Sequence, residues 1–178
     1  KAFRDICDDL KILEKYEIDI PFFTQIGASA LTDKNIDVPT GGIEAGVPVT
    51  YVPFRNGIFL SITAAIAEKE GATAMYIGVV QEDSSGYPDC TDSFISDMKK
   101  AINQGTKEDT YIDILTPLVH LSKAQIVQEA LRLNVPLEHT WSCYKEETEA
   151  CGVCDSCRLR LNGFKLANQI DPIPYKAL

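Results

Sequence analysis

Four cysteines within a fifteen-residue stretch constrain this chain more than any other feature of its sequence. They are Cys143, Cys151, Cys154 and Cys157, and their spacing is C-x7-C-x2-C-x2-C. A C-x2-C turn brings two thiolates toward one point, as a tetrahedral metal ion requires. Gly152 follows Cys151 directly and tolerates the left-handed backbone that such a turn often needs. The pattern therefore predicts a metal site with four thiolate ligands.

Zinc is the metal that this pattern favours, although a disulfide cluster, free thiols and an iron–sulfur cluster use the same residue type. Disulfides are typical of small secreted scaffolds. This chain has 178 residues, and no export signal is readable in it. Four thiolates already fill a tetrahedron and leave no open position for a substrate. We therefore expect one structural zinc ion per chain.

The net charge of −9 limits the classes of partner. Broad non-specific binding to nucleic acid requires a positive surface, so we expect no direct nucleic-acid partner. No apolar run reaches the length of a membrane span, so we expect no membrane partner. A thiolate cluster without export signals predicts a cytoplasmic location.

Hydrophobic periodicity predicts an alternation of helices and strands, which indicates an α/β fold with a parallel sheet. We expect a single domain over residues 1–178, with an α/β core at 1–138 and a zinc knuckle with a final helix at 139–178. Residues 32–48 are predicted to form a long surface loop. The predicted helices are 2–16, one turn at 22–26, 57–70, 92–104, 123–133 and 158–168, and the predicted strands are 17–20, 49–52, 73–80 (buried on both faces) and 111–115.

Polar loops follow the predicted strands, at the edge where parallel sheets bind ligands. Arg55 and Asn56 begin a helix directly after a strand, and a helix N-terminus beside an arginine is suited to an anion. The next loop contains Asp83, Tyr87 and Asp89. Such a loop suits a heterocycle, through stacking and hydrogen bonds, or magnesium, and a solvated turn has the same composition. Because the loop is polar, we expect it, with Tyr87, to be exposed.

Lys123 lies in the first turn of a predicted helix that follows the third strand. A cation there opposes the helix dipole, which costs a few tenths of a kcal/mol and points to an anionic partner such as phosphate. Ser122 and Gln125 form a capping-box pattern at the same helix start.

Taken together, these segments resemble one family, the 7-cyano-7-deazaguanine synthases, which form the QueC family of queuosine biosynthesis. The resemblance covers nearly the whole chain, in the order of the family. The matching stretches are SALTD (29–33), VTYVPFRNGIFLS (49–61), DSSGYPDC (83–90), PLVHLSKAQIV (117–127), TWSCY (140–144), CGVCDSCRLR (151–160) and GFKLANQIDP (163–172).

The resemblance implies an ATP-dependent C–N ligase that converts 7-carboxy-7-deazaguanine and ammonia into a nitrile. It implies a Rossmann-like parallel sheet of the adenine-nucleotide alpha-hydrolase (ATP-pyrophosphatase) type, zinc on the four cysteines, magnesium with the ATP, and a homodimer. Within that scheme we assign the catalytic cations, the nucleotide contact and the ring contacts by position. The cations are Arg55 and Lys123, the nucleotide contact is Asn56, and the ring contacts are Tyr87, Asp89 and Asp83.

One departure from the family is large. The family begins with a strand and an SGGxDS loop that holds the pyrophosphate of ATP, and neither is readable in residues 1–178. We therefore expect this segment to be incomplete at its N-terminus and inactive by itself. Two alternatives stay open on the sequence: another enzyme of the ATP-pyrophosphatase family, or a non-catalytic zinc-containing binding module.

Overall fold

The structure, a computed structural model, describes residues 1–42, 46–80 and 86–176. The contacts within the chain define two compact units, one formed by 1–44 with 122–178 and the other by 45–121. The prediction of a single domain stays a prediction. Across the described ranges, none of the helices is long and apolar enough to cross a lipid bilayer.

The unit formed by residues 45–121 contains a small parallel sheet. Strand β1 (Ala74–Tyr76) pairs with β2 (Asp113–Leu115), and the two strands are in parallel register from Ala74 opposite Asp113 to Tyr76 opposite Leu115. Helix α4 (Asp92–Gly105) lies between them in the chain, as a parallel pair requires, and α3 (Arg55–Glu70) precedes β1. The predicted α/β fold with a parallel sheet is confirmed at this level.

Only one face of this sheet is fully buried. Met75 and Ile114 lie in a core with side chains of α3 and α4, whereas Tyr76 is 71% exposed. The prediction that strand 73–80 is buried on both faces is therefore wrong. The reason is that β1 pairs only with β2 among the described residues and has just three residues. The core of this unit comprises Leu60, Ala64, Ala67, Met75, Val79, Tyr87, Cys90, Ile95, Ile112, Ile114 and Val119.

Two predicted strands are absent from the described part of the chain. Residues 49–52 form a turn instead, because the amide of Tyr51 donates to the carbonyl of Pro48 at 2.9 Å. Residues 17–20 have no strand partner there. Glu17 instead accepts hydrogen bonds from the guanidinium of Arg4, and Ile18 is about half exposed.

The unit that contains both termini is helical. It comprises α1 (Ala2–Asp9), α2 (Phe22–Ile26), α5 (Lys123–Arg132) and α6 (Asp155–Leu166). Helix α1 is shorter than predicted, since Asp8 and Asp9 lie at its negative end and its last turn contains no base to offset them.

The capping box at the start of α5 is confirmed. Ser122 Oγ accepts the amide of Gln125, and Gln125 Oε1 accepts the amide of Ser122 at 2.8 Å. Helix α5 lies close against α6, because a Cβ placed on Gly163 would come within 2.7 Å of the Cβ of Lys123. Any side chain at position 163 would therefore push the start of α5 away.

Helix α6 begins at Asp155, three residues earlier than predicted. A carboxylate in the first turn favours this early start through the helix dipole. The first residue of α6 thus directly follows Cys154, so the helix carries Cys157 in its first turn.

Candidate metal centre and substrate-binding site

The four predicted ligands converge. The sulfur atoms of Cys143, Cys151, Cys154 and Cys157 all lie within 4.8 Å of one another, and Cys151 Sγ is 4.0 Å from Cys157 Sγ. Zinc–sulfur bonds of about 2.3 Å in a tetrahedron place the sulfur atoms about 3.8 Å apart. All of these cysteines are free thiols, so the disulfide alternative is wrong. The thiols fit a single metal ion.

Backbone amides aim at the sulfur atoms. Lys145 and Cys151 each donate an N–H to Cys143 Sγ at 3.4 Å, and Cys154 donates one to Cys151 Sγ at the same distance. Gly152 has φ of +73°, which confirms the left-handed turn that its position predicted. Such N–H groups favour negative charge on sulfur, the form that binds a metal.

Burial and these amides move the thiol pKa values in opposite directions. For Cys151, burial raises the pKa, but the amides of Val153 and Cys154 outweigh it and lower the pKa to about 7. Burial raises the pKa of Cys154 and of Cys157 above the usual thiol range. A bound divalent cation replaces the protons on such thiols. The donor set is soft, which is typical of zinc.

The cluster is closed to a substrate. Cys154 and Cys157 are at most 1% exposed, and Ala150 and Ile173 pack against them. Four thiolates also complete a tetrahedron. A metal ion held by all four thiolates would therefore have no open position for a substrate. It is the one grouping of possible metal ligands among residues 1–42, 46–80 and 86–176.

A second candidate site lies at the N-terminus of α3. The amide of Asn56 donates to Asp89 Oδ2 at 2.8 Å, and the side-chain nitrogen of Asn56 donates to Cys90 Sγ at 3.3 Å. Asp89 is 3% exposed, and its other oxygen, Oδ1, has no hydrogen-bond partner within the described part of the chain. A buried carboxylate oxygen of this kind is a candidate acceptor for a ligand donor.

Arg55 adds a cation at this helix end. Its guanidinium carbon lies 6.0 Å from the ring centre of Tyr87, and no carboxylate within the described ranges forms an ion pair with it. Arg55 is half-buried. Asp89 already accepts one amide of this helix end, and Arg55, which forms no ion pair within the described ranges, adds the positive charge that favours a further anion.

Tyr87 does not occupy the exposed position that the sequence predicted. The residue is only 8% exposed; its hydroxyl lies 2.9 Å from Thr50 Oγ1, and its ring is 5.7 Å from that of Tyr51. The expectation of an exposed Tyr87 is therefore wrong, because contacts distant in sequence cover the ring. Its contact with a substrate stays a prediction.

The structure brings four of the predicted substrate-site residues together in one unit: Arg55, Asn56, Tyr87 and Asp89. Lys123 opens α5 in the other unit, directly against Gly163. Asp83 lies outside the described residues.

Several residues at the two sites were not predicted from the sequence. Thr50 and Tyr51 shape the surroundings of Tyr87 from a segment that reads as a strand. Arg160 and Asp171 form an ion pair in which both side chains are largely buried. Pro172 and Pro174 are incompatible with a helix after Asp171, but no local pattern identifies the partner of either charge.

Known proteins resemble this chain over nearly all of its length. It matches the family described as "Queuosine biosynthesis protein QueC" over residues 1–168. The 7-cyano-7-deazaguanine synthase of Aliarcobacter butzleri (strain RM4018) is 85% identical to it over 99% of this chain and 77% of that protein. Proteins of the same name from Nautilia profundicola (70% identical; 99% of this chain, 79% of that protein) and Sulfurimonas denitrificans (69%; 98% and 78%) are also similar.

Proposed function

This chain belongs to the QueC family of queuosine biosynthesis proteins, and from this membership we propose that it is a 7-cyano-7-deazaguanine synthase. The observation that carries the proposal is the 85% identity to a relative of that name over 99% of the chain. The names of the relatives favour neither a different enzyme of the ATP-pyrophosphatase family nor a non-catalytic binding module.

The proposed reaction is ATP-dependent ligation of ammonia to 7-carboxy-7-deazaguanine. A carboxylate is a poor electrophile at neutral pH, so ATP first converts it into a mixed anhydride with AMP and releases pyrophosphate. Ammonia displaces AMP and forms an amide. A second ATP transfers AMP to the amide oxygen and releases pyrophosphate. Cleavage of the C–O bond then releases AMP, and loss of both protons from the nitrogen leaves the nitrile. Each activation needs positive charge near the phosphates.

Arg55 is our candidate for this charge in the unit that contains the sheet. It lies at the positive end of α3, is half-buried, and has no carboxylate partner within the described ranges. Its planar donor fork suits a phosphate or a carboxylate. Asn56, the next residue, is our candidate for a nucleotide contact.

Lys123 is our second candidate cation. Its backbone is held by the capping box of α5 and by the close approach of α6 at Gly163. A lysine in the first turn of a helix is favoured by a bound anion, because the anion offsets the repulsion from the helix dipole.

Asp89 is our candidate acceptor for the deazaguanine ring, one edge of which presents N–H donors. Its Oδ2 holds the start of α3, and its Oδ1 has no partner in the described residues. That oxygen is buried, so a ring reaches it only when the surrounding side chains move. Tyr87 then contributes to the site from within the core, beside Arg55. Asp83 remains a candidate ring contact from sequence.

Zinc is our proposed occupant of the four-cysteine cluster, with one ion per chain in a structural role. ATP as co-substrate, magnesium as its counter-ion and a homodimer follow from the resemblance to the family. A cytoplasmic location fits six free cysteines, since thiols persist in reducing compartments.

Calorimetric titration with 7-carboxy-7-deazaguanine tests the substrate site directly. The protein expressed from its complete gene should bind this ligand, and Arg55→Met should weaken binding of the ligand or of ATP by about 10-fold or more, because one charge-assisted contact is lost. Arg132→Met, at an exposed pair with Glu129, is the matched control and should bind normally. Equal affinity of all three proteins for both ligands would remove Arg55 from the site.

A further inference from the structure

The end of the described chain lies over the four-cysteine cluster. We call residues 171–176 the tail segment. Two of its side chains, Ile173 and Tyr175, pack in the same apolar cluster as the metal-binding thiols, and Ile173 is 5% exposed. The tail segment thereby covers one side of the proposed metal centre.

Backbone hydrogen bonds fix this cover to the loop that carries the ligands. The amide of Ala150 donates to the carbonyl of Pro174 at 2.8 Å, and the amide of Lys176 donates to the carbonyl of Ala150 at 2.9 Å. Ala150 is fully buried and directly precedes Cys151. Movement of the tail segment therefore frees the backbone beside a metal ligand.

Asp171 anchors the tail segment to the helix that contains another ligand. Its carboxylate pairs with both Nε and Nη2 of Arg160, at 2.6 and 2.8 Å. The side chains of Asp171 and Arg160 are 2% and 10% exposed. Arg160 lies on α6 one turn after Cys157.

The same carboxylate organises the tail segment itself. The hydroxyl of Tyr175 donates to Asp171 Oδ2 at 2.7 Å, and the amide of Ile173 donates to Asp171 Oδ1 at 3.3 Å. Arg160 in turn donates to Thr140 Oγ1 at 2.8 Å, just before Cys143. One carboxylate thus connects the tail, α6 and the segment that leads to the first ligand.

A buried ion pair of this kind adds little net stability compared with apolar side chains, because desolvation offsets the attraction. What it provides is a fixed geometry, since both charges are satisfied in one arrangement only. Partners outside the ligand shell commonly control how tightly a protein holds its metal.

We propose that Asp171 is a positioning residue for the metal centre, which keeps the tail segment closed over the thiolates, tightens binding of the metal and thereby slows its escape. The proposal rests on the metal site proposed above. It concerns the retention of the metal and assigns Asp171 no contact with the metal itself.

Metal release to an excess of a coloured chelator tests the proposal. The zinc-loaded protein and Asp171→Asn should both contain about one zinc ion per chain, but the variant should release it about 10-fold faster or more, the range typical of lost outer-shell contacts. Tyr175→Phe, which removes only the hydroxyl bonded to Asp171, should show a smaller increase. Arg132→Gln disrupts an exposed arginine–glutamate pair and should release zinc at the unchanged rate.

Amide hydrogen exchange in the unsubstituted protein gives an independent test. Because coupling is reciprocal in binding free energy, a tail segment that tightens zinc binding must itself be stabilised by zinc. Removal of the metal should therefore speed exchange at the amides of Ala150 and Lys176 by about 10-fold or more, beyond any change at Val127 in α5. If Asp171→Asn does not fold, this measurement tests the closure of the tail segment over the metal, and Tyr175→Phe tests the contact with the carboxylate.

The outcomes separate this proposal from the metal site itself. Loaded Asp171→Asn and Tyr175→Phe that release zinc at the unsubstituted rate would overturn the role of Asp171, while leaving the metal site intact. The role of Asp171 would also be overturned if metal removal sped amide exchange at Ala150, Lys176 and Val127 by the same factor. An unsubstituted protein that takes up no zinc would overturn both proposals.

Discussion

Asn56 and Asp89, which are 33 residues apart in sequence, are joined by a 2.8 Å hydrogen bond from the amide of Asn56 to Asp89 Oδ2. Phe54, at the N-cap of α3, supplies no side-chain acceptor for the free amides of the helix, and its φ of +54° is left-handed. Asp89 takes the place of a local cap and places negative charge at the positive end of the helix. The bond also fixes the candidate ring-binding carboxylate beside Arg55.

Replacement of Asp89 by Ala should therefore reduce the free energy of unfolding by about 1–3 kcal/mol, since the buried amide of Asn56 loses a charged acceptor. Urea denaturation measures the change. Asp97→Ala is the matched control, because the Asp97 side chain is 74% exposed in a surface pair with Lys100. A loss of stability no larger than that of the control would show that Asp89 does not hold α3.

Replacement of Tyr87 should lower the stability of the fold, whether or not Tyr87 contacts a ligand. Tyr87→Ala removes a buried ring and should cost about 3–5 kcal/mol, whereas Tyr87→Phe removes only the hydroxyl beside Thr50 and should cost about 1 kcal/mol. Thermal unfolding of the two variants distinguishes the effects. If Tyr87→Ala keeps the unsubstituted stability, the ring is exposed, as the sequence alone predicted.

Local chemistry made part of this structure predictable from sequence. The spacing of the four cysteines predicted their convergence, and Ser122 with Gln125 predicted the start of α5, because each signal is complete within a few residues. Contacts between distant residues were not predictable. The burial of Tyr87 depends on Thr50, 37 residues earlier, and no local pattern indicates that pairing.

The predicted lengths of the strands were wrong for a related reason. The apolar run at 73–80 has the composition of a buried strand, yet β1 extends only as far as β2 pairs with it. Residues 49–52 contain β-branched side chains but form a turn, since the amide of Tyr51 bonds within its own segment. Strand formation depends on a partner, and the sequence of one segment does not specify it.

Loss of one thiolate should unfold the metal site. Cys154→Ser replaces a fully buried ligand, and we expect loss of bound zinc and a marked fall in melting temperature, since metal binding contributes about 10 kcal/mol at such sites. Elemental analysis measures the metal. Cys7→Ser makes the same chemical change at a buried cysteine outside the cluster and should retain zinc. A Cys154→Ser protein with full zinc content would exclude this cysteine as a ligand.

Acid should remove the contribution of the Lys99–Asp113 ion pair to the stability of the fold. Lys99 Nζ lies 2.6 Å from Asp113 Oδ1, and the hydrogen bond from Lys99 lowers the pKa of Asp113 below its ordinary value of 3.8. The stabilisation is therefore present above pH 3.8 and is lost as the pH falls through the lowered pKa of the folded chain.

The free energy of unfolding of Lys99→Met, measured at a series of pH values, checks that the stabilisation is lost as the pH falls. The variant should be less stable than the unsubstituted protein at neutral pH. The difference should shrink in strong acid to the part contributed by the contact of Lys99 with the Tyr111 ring, whose centre lies 5.7 Å from Nζ. Lys100→Met, at a more exposed pair with Asp97, is the control. A difference that persists unchanged to about pH 2, below the usual carboxyl range, would exclude the ion pair as its cause.

Isotope incorporation tests the proposed activity most directly. Protein expressed from the complete gene is incubated with 7-carboxy-7-deazaguanine, ATP, magnesium and isotopically labelled ammonium, and the products are analysed by mass spectrometry. The proposed reaction predicts 7-cyano-7-deazaguanine with the label in its nitrile nitrogen and two AMP for each nitrile. A folded, zinc-loaded protein that binds both substrates but forms neither labelled amide nor labelled nitrile would contradict it.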